Sequence, residues 1–258
     1  VLWSKTQPMS KLDNRFFSKD SLVGGKVKFF QPKKGYRVSI DSVFLSAAIP
    51  ACKGDRILDL GSGVGAAALC LAWRVRDCKI IGIEIQNHLI ELAKKNIAEN
   101  KFNDRLRIFF GNIVSPPSSI KDHSFDHVMA NPPFFRESEF VKSPHLSKNL
   151  SKVASDVEIS SWVNLGIRAL KDDGTITFIF RSDRLSEILK AFGRKIGNIS
   201  VFPLISKKGG KTKRVIVHGR KGGHVELNRK KGIILHNQQG SFGSKAEDIL
   251  RHGEQLLL

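Results

Sequence analysis

The sequence predicts an α/β fold built on a doubly wound, mostly parallel sheet, and three observations carry that prediction. From about residue 55 short β-branched runs alternate with amphipathic stretches, the order that stacks helices on a parallel sheet. A glycine-rich turn, "DLGSGVGA" (59–66), joins the first of these runs to the next amphipathic stretch, where strand-to-helix turns of such sheets bring the backbone close to a ligand. The chain's 258 residues, 41% of them hydrophobic, suffice for the core of one α/β domain with additions.

The opening forty residues, rich in Lys, Phe and Gly, read as an extended or hairpin-like cap. "DSVFLSAAI" (41–49) reads as a helix with Asp41 near its N-terminus, where an acid is favoured. "RILDL" (56–60) reads as a strand, "AAALCLAWRV" (66–75) as a helix and "KIIGIEI" (79–85) as the next strand. Between 86 and 100, Leu89, Ile90, Leu92, Ala93 and Ile97 fall on one side and Glu91, Lys94, Lys95 and Glu99 largely on the other, the pattern of a helix covering a sheet. Strands are expected at 106–110, 125–130 and 175–180, and helices at 157–171 and 183–195. "ISVFPLI" (199–205) and "KRVIVHG" (213–219) flank the basic loop "SKKGGKT" and read as an antiparallel pair. The economical division is a cap over 1–50, a catalytic domain over 51–223 and an extension over 224–258 packed on that domain.

Charge narrows the function. The formal net charge is +19, which points to a polyanionic partner, nucleic acid first. The excess is concentrated: between Lys207 and Lys231 ten basic residues face the single acid Glu226. The cysteines Cys52, Cys70 and Cys78 are odd in number and form no Cys-x-x-Cys pair, arguing against a disulfide framework or a zinc ribbon and for a reducing cytoplasm. No His/Cys/Asp spacing suggests a metal. No apolar run approaches the roughly 18 residues of a membrane span.

The glycine turn by itself leaves the ligand open, because Gly61-x-Gly63-x-x-Ala66 also satisfies the dinucleotide pattern. Glu84, at the end of the following strand, suits a ribose diol in either case. Two features favour S-adenosylmethionine. Asp59 precedes the glycines, where it would attract an ammonium and sulfonium and repel a pyrophosphate. The second feature is "NPPF" (131–134), which follows a strand-like run. An amine conjugated to an aromatic ring or carbonyl becomes nucleophilic when acceptors hold its hydrogens out of plane. The Asn131 side-chain oxygen and the Pro132 carbonyl are such acceptors, Pro132 and Pro133 stiffen the loop, and Phe134 offers a face for a flat ring.

"DLGSGVG", Glu84 and "NPPF", in this order, resemble the class I S-adenosylmethionine-dependent methyltransferases that act on exocyclic or amide nitrogens. The flanking segments "QPKKGYRVSIDSVFLSAAIP" (31–50), "PLISKKGGKTKRVIVHGRKGG" (203–223) and "GIILHNQQGSFGSKAEDILR" (232–251) are similar to the bacterial tRNA1(Val) adenine-N6 methyltransferases acting at position 37, over roughly residues 20 to 251. The resemblance implies a Rossmann-like class I methyltransferase fold, with a seven-stranded mostly parallel sheet, helices on both faces and an antiparallel C-terminal strand. It implies S-adenosylmethionine as cofactor and tRNA as partner. Asp59, Gly61 and Gly63 would line the methionine part, Glu84 the ribose and Asn112 the adenine amino group, where Asp is more usual in the class; Asn131 would sit at both cofactor and acceptor. Tyr36, Arg37 and Asp41 would close over the cofactor and help position the target base.

Lys207, Lys208, Lys211, Lys213 and Arg214, with Lys142, Lys148 and Lys152 of segment 136–152, are expected to wall a basic channel leading to Phe134. Other classes share parts of this pattern. Ribosomal-RNA guanine-N2 methyltransferases and release-factor glutamine methyltransferases carry the Asn-Pro-Pro-aromatic signature. A non-catalytic RNA-binding protein on this scaffold or a dinucleotide-dependent oxidoreductase is disfavoured by the joint presence of Asp59, the glycine turn, Glu84 and "NPPF".

Overall fold

In the computed structural model, which describes residues 15–133 and 157–258, the alternating runs become the parallel heart of one large sheet. The strands are β3 (Arg56–Leu60), β4 (Lys79–Glu84), β5 (Leu106–Phe110), β6 (Phe125–Ala130) and β7 (Leu170–Arg181). They lie in the order β7-β6-β3-β4-β5 with every pair parallel. The chain winds outward from β3 to β5, then returns to the other side of β3 to lay down β6. That reversal opens a crevice at the carboxyl ends of β3 and β6, where ligands of open α/β sheets bind.

Each strand feeds two cores by alternation. Ile57, Met129, Ile179 and Ile216 point to one face, and Leu58, Val128, Phe178 and Val217 to the other. Helices α1 (Asp41–Ala47), α2 (Ala66–Arg74) and α3 (Asn87–Glu99) cover the first face; α4 (Ile159–Ala169) and α5 (Leu185–Phe192) cover the second. Gly166 lets α4 approach closely, since a Cβ there would lie 2.6 Å from Ile176 Cδ1.

β8 (Ile196–Ile205) and β9 (Thr212–Lys221) form the expected antiparallel pair, and β9 slots between β7 and β8, antiparallel to both. Among the described residues the sheet has nine strands where seven were expected. The two additional ones, β10 (Leu227–Arg229) and β11 (Ile233–Ile234), both pair parallel with the outer edge of β8. Three and two residues long, they carry no alternating run; β8's free hydrogen-bonding edge supplies what their sequence lacks. A short helix, α6 (Ser244–Glu247), follows and packs near β11. At the other end of the chain, β1 (Phe17–Leu22) and β2 (Val27–Pro32) make a separate two-stranded hairpin against α3.

Candidate active site

Register brings the site together. Leu60 pairs with Ile83 on one side and Ala130 on the other, so the next residues, Gly61, Glu84 and Asn131, leave three neighbouring strands at one level. With strands about 4.8 Å apart, the backbones of Glu84 and Asn131 stand on the order of 10 Å from each other across the glycine turn.

Gly61 and Gly63 have φ of 68° and 57°, left-handed values that favour glycine. Space also demands glycine there. A Cβ on Gly61 would meet Trp162 Cη2 at 2.6 Å, and one on Gly63 would meet the Tyr36 hydroxyl at 2.7 Å. Trp162 on α4 and Tyr36 on the segment before α1 therefore enclose the turn from two sides.

Glu84 stitches the turn to its strand. Its Oε2 accepts from Gly63 N at 2.9 Å, and its Oε1 accepts from Ile85 N and Gln86 N, each at 2.9 Å. Burial raises its pKa, opposed by these three backbone donors. Asp59 is 2% exposed, and its Oδ2 has no hydrogen-bond partner. Burial pushes its pKa up to about 7, with the Ser62 hydroxyl opposing and the Glu84 charge adding to the rise. The Tyr36 phenol is driven well above its ordinary range by burial, then by the charges of Glu84 and Asp59. Asn131 Oδ1 is likewise buried without a partner, beside buried Pro132 and half-buried Pro133.

Two buried acceptors with unspent lone pairs, near the carboxyl ends of the neighbouring strands β3 and β6, are unusual in a folded protein. They fit a ligand bearing a cation at Asp59 and N–H donors at Asn131. Trp162 and Tyr36 pack directly against Gly61 and Gly63, and the ammonium of S-adenosylmethionine is a cation of the kind that Asp59 calls for. Trp162, Pro132 and Pro133 also line a shallow pocket with Ile159, Phe180 and Arg184, where the Arg184 guanidinium lies 5.1 Å from the Phe180 ring centroid.

Other expected residues are placed differently. Arg37 turns toward the hairpin: its Nη1 donates to Ser18 Oγ at 2.9 Å and to Pro32 O at 3.3 Å, and Nη2 stands 3.7 Å from Asp20. Asp41 accepts from Arg214 Nε at 3.3 Å. Asn112 spends its amide oxygen on Val114 N at 2.9 Å in a local turn, which leaves that oxygen one lone pair. Lys207, Lys208 and Lys211 are exposed on the β8–β9 loop, and Lys213 is exposed at the start of β9. That loop springs from the carboxyl end of β8, which runs parallel to β7 through their shared antiparallel partner β9, so the loop lies along the same edge of the sheet as Asn131. Phe134 and Lys142, Lys148 and Lys152 lie outside the described residues.

Sequence reasoning missed Trp162, Gln31 and Asn96. Trp162 belongs to an apolar helix face, and nothing local says that this face meets Gly61. Asn96 left one sign, a polar residue on the buried stripe of α3 between Ala93 and Ile97. Among the described residues no group of three or more His, Cys, Asp or Glu side chains is placed to hold a metal, and no helix is long and apolar enough to cross a membrane.

The fold is that of the class I S-adenosylmethionine-dependent methyltransferases. Comparison with known proteins agrees. The model of the methyltransferase small domain matches residues 36–157. It is similar to proteins named tRNA1(Val) (adenine(37)-N6)-methyltransferase from Vibrio campbellii (28% identity, covering 63% of each chain), Actinobacillus pleuropneumoniae (28%, covering 72% of this chain and 77% of the relative) and Porphyromonas gingivalis (31%, covering 59% and 61%). The match thus spans about three fifths of the Vibrio and Porphyromonas relatives' length. Among solved structures, a predicted O-methyltransferase from Agrobacterium tumefaciens superposes with a TM-score of 0.70 at 20% identity, over 84% of this chain and 98% of that one. TYW2 from Pyrococcus horikoshii, in complex with MeSAdo, gives 0.55 at 15%, over 80% and 72%. At these identities the structures speak for the fold alone.

Proposed function

We propose that the protein methylates the exocyclic N6 of an adenine in tRNA, position 37 of a valine tRNA by likeness to its relatives, working in the cytoplasm as one catalytic unit with a cap (1–50) and a C-terminal extension (224–258). The observation that carries the chemistry is Asn131: a buried carbonyl oxygen without a partner, at the end of β6, level with Glu84 and the glycine turn. An adenine amine has two hydrogens to give. Asn131 Oδ1 takes one and the Pro132 carbonyl the other, which turns the nitrogen lone pair toward the crevice.

When bound, the cofactor supplies an electrophilic methyl carbon. Asp59 holds the ammonium of its methionine part through the unspent Oδ2, Glu84 accepts from a ribose hydroxyl on the lone pair left to its Oε2, and Asn112 takes the adenine amino group on its remaining lone pair. Tyr36 and Trp162 exclude water beside the turn. Phe134 is assigned the stacking of the target base. No strong base is needed, because the nitrogen becomes acidic as it is methylated and gives its proton to water. Rate comes mainly from orientation, and the base must leave its stack to reach the site.

The exposed lysines of the β8–β9 loop, at the same sheet edge as Asn131, support RNA as the partner; they would neutralise phosphates and leave base choice to Asn131–Phe134. The free cysteines, two of them buried, accord with a reducing compartment. Mass spectrometry of nucleosides from tRNA incubated with the protein and isotopically labelled S-adenosylmethionine tests the reading. Labelled N6-methyladenosine is expected; labelled N2-methylguanosine, or label only in protein glutamine, would replace it with one of the sister activities.

A further inference from the structure

We propose that two buried amides, Asn96 on α3 and Gln31 on β2, are positioning residues of the cofactor site: together they close a ring of contacts that holds Tyr36 against the glycine turn. The proposal rests on reading that turn as the cofactor site.

Asn96 is fully buried. Its Oδ1 accepts from Phe30 N at 2.7 Å, while its Nδ2 donates to Phe30 O and to Val64 O, each at 3.0 Å. The amide thus gives β2 the hydrogen bonds that a neighbouring strand would give, and ties them to the residue after Gly63. One turn along α3, Asn100 repeats the pairing with Lys28: Lys28 N donates to Oδ1 at 3.0 Å, and Nδ2 donates to Lys28 O at 2.6 Å. The repeat works because four helical residues rise about 6 Å and two strand residues about 6.7 Å. Only Asn96 reaches the glycine turn.

Gln31 continues the ring. It is 3% exposed; its Oε1 accepts from Val38 N at 2.8 Å and its Nε2 donates to Asp20 Oδ2 at 2.7 Å. Asp20 is held below the usual carboxylate range chiefly by the bond from Gln31, then by that from Ser18, so the amide has an ionised anchor. Val38 is two residues from Tyr36, whose hydroxyl abuts Gly63. The ring therefore runs Gly63, Tyr36, Val38, Gln31, Phe30, Asn96, Val64 and back to Gly63. Every link except the chain itself passes through one of the two amides or the Tyr36 ring. With either amide altered, the hairpin can remain folded while Tyr36 loses its fixed height over the turn.

Tyr36 is the only tyrosine in the sequence, so the full-length protein labelled with 3-fluorotyrosine reports on that ring through one fluorine resonance. Asn96→Asp keeps the acceptor for Phe30 N and turns a carboxylate oxygen toward two carbonyls; Gln31→Glu keeps the acceptor for Val38 N and sets a second carboxylate against Asp20. Each should raise quenching of the fluorine by a soluble paramagnetic probe several-fold. Each should also raise the dissociation constant of S-adenosylhomocysteine roughly tenfold, the loss expected for a buried donor. Asn100→Asp, which breaks the same helix–hairpin link away from the turn, should leave both readouts unchanged. The proposal is overturned if folded Asn96→Asp or Gln31→Glu shows wild-type quenching, or if Asn100→Asp moves both readouts as much as Asn96→Asp does. Should Asn96→Asp not fold, Gln31→Glu decides alone. A wild-type protein that binds no S-adenosylhomocysteine would remove the cofactor reading, while the fluorine signal would still decide whether the amides hold Tyr36.

Discussion

Arg214 and Asp41, 173 positions apart, meet through a hydrogen bond from the guanidinium Nε to the carboxylate Oδ2 at 3.3 Å. The pair joins the start of β9, where the basic loop ends, to the start of α1, where the segment carrying Tyr36 ends. Side-chain exposures of 32% and 13% shield it partly from solvent. A double-mutant cycle of Asp41→Asn and Arg214→Ala, followed by urea unfolding, should give a coupling of roughly 1 kcal/mol, above the usual value for exposed pairs. Additive effects would mean that the two elements are joined by packing alone.

Cofactor affinity should depend on pH through Asp59. In the free protein burial lifts its pKa to about 7, whereas an ammonium against Oδ2 favours the ionised form. Binding therefore expels a proton below that value and none well above it. Affinity for S-adenosylhomocysteine should level off above pH 7 and fall by roughly tenfold per unit beneath it. Calorimetry at pH 7 in buffers of different ionisation enthalpy should show about half a proton released. Asp59→Asn should bind weakly and without this slope; a wild-type affinity flat from pH 5 to 8 would place the ammonium elsewhere.

Acid should destabilise the fold through two histidines, on β6 and β9. His127 bonds Thr175 Oγ1 at 2.8 Å and Asp55 Oδ2 at 3.1 Å, and His218 bonds Thr177 Oγ1 at 2.8 Å. Burial lowers the pKa of His127 against the pull of Asp55 and Asp126; burial, then His127 and Arg220, lowers that of His218 to about 4. Both are depressed below their unfolded value of about 6.5, so the unfolded chain takes up protons first as pH drops. Stability is complete above that value and lost as pH falls from about 6.5 toward 4, by about 2–3 kcal/mol for His218. Urea midpoints at pH 7 and pH 5 measure the loss, and His218→Gln should flatten it.

Replacing Lys207, Lys208, Lys211 and Lys213 together by Ala should weaken tRNA binding and flatten its salt dependence by roughly three units if each lysine meets one phosphate, with S-adenosylhomocysteine binding intact. An unchanged slope would move the RNA to the cluster between Lys26 and Arg37.

The parallel heart of the fold and its glycine turn were legible because both are local: β-branched runs with a period of two, amphipathic helices and Gly61 and Gly63 state their conformations within a few residues. The positions of Asp59, Glu84 and Asn131 were legible because each lies at or just past the carboxyl end of a strand that its β-branched run marks. Strands β10 and β11 were not, since they exist through pairing with β8 and not through propensity. The same holds for Arg37 and Asp41. Sequence places them beside Tyr36, but Asp20 and Arg214, distant along the chain, decide where their side chains turn.

The central claim is that Asn131 orients the amine to be methylated. Single-turnover rates of Asn131→Ala on tRNA, measured beside its affinity for S-adenosylhomocysteine, test it most directly. The account predicts a rate lower by roughly two to three orders of magnitude, as for loss of one preorganised polar group, with affinity changed far less. A near-normal rate, or a rate that falls only in proportion to cofactor affinity, would contradict it.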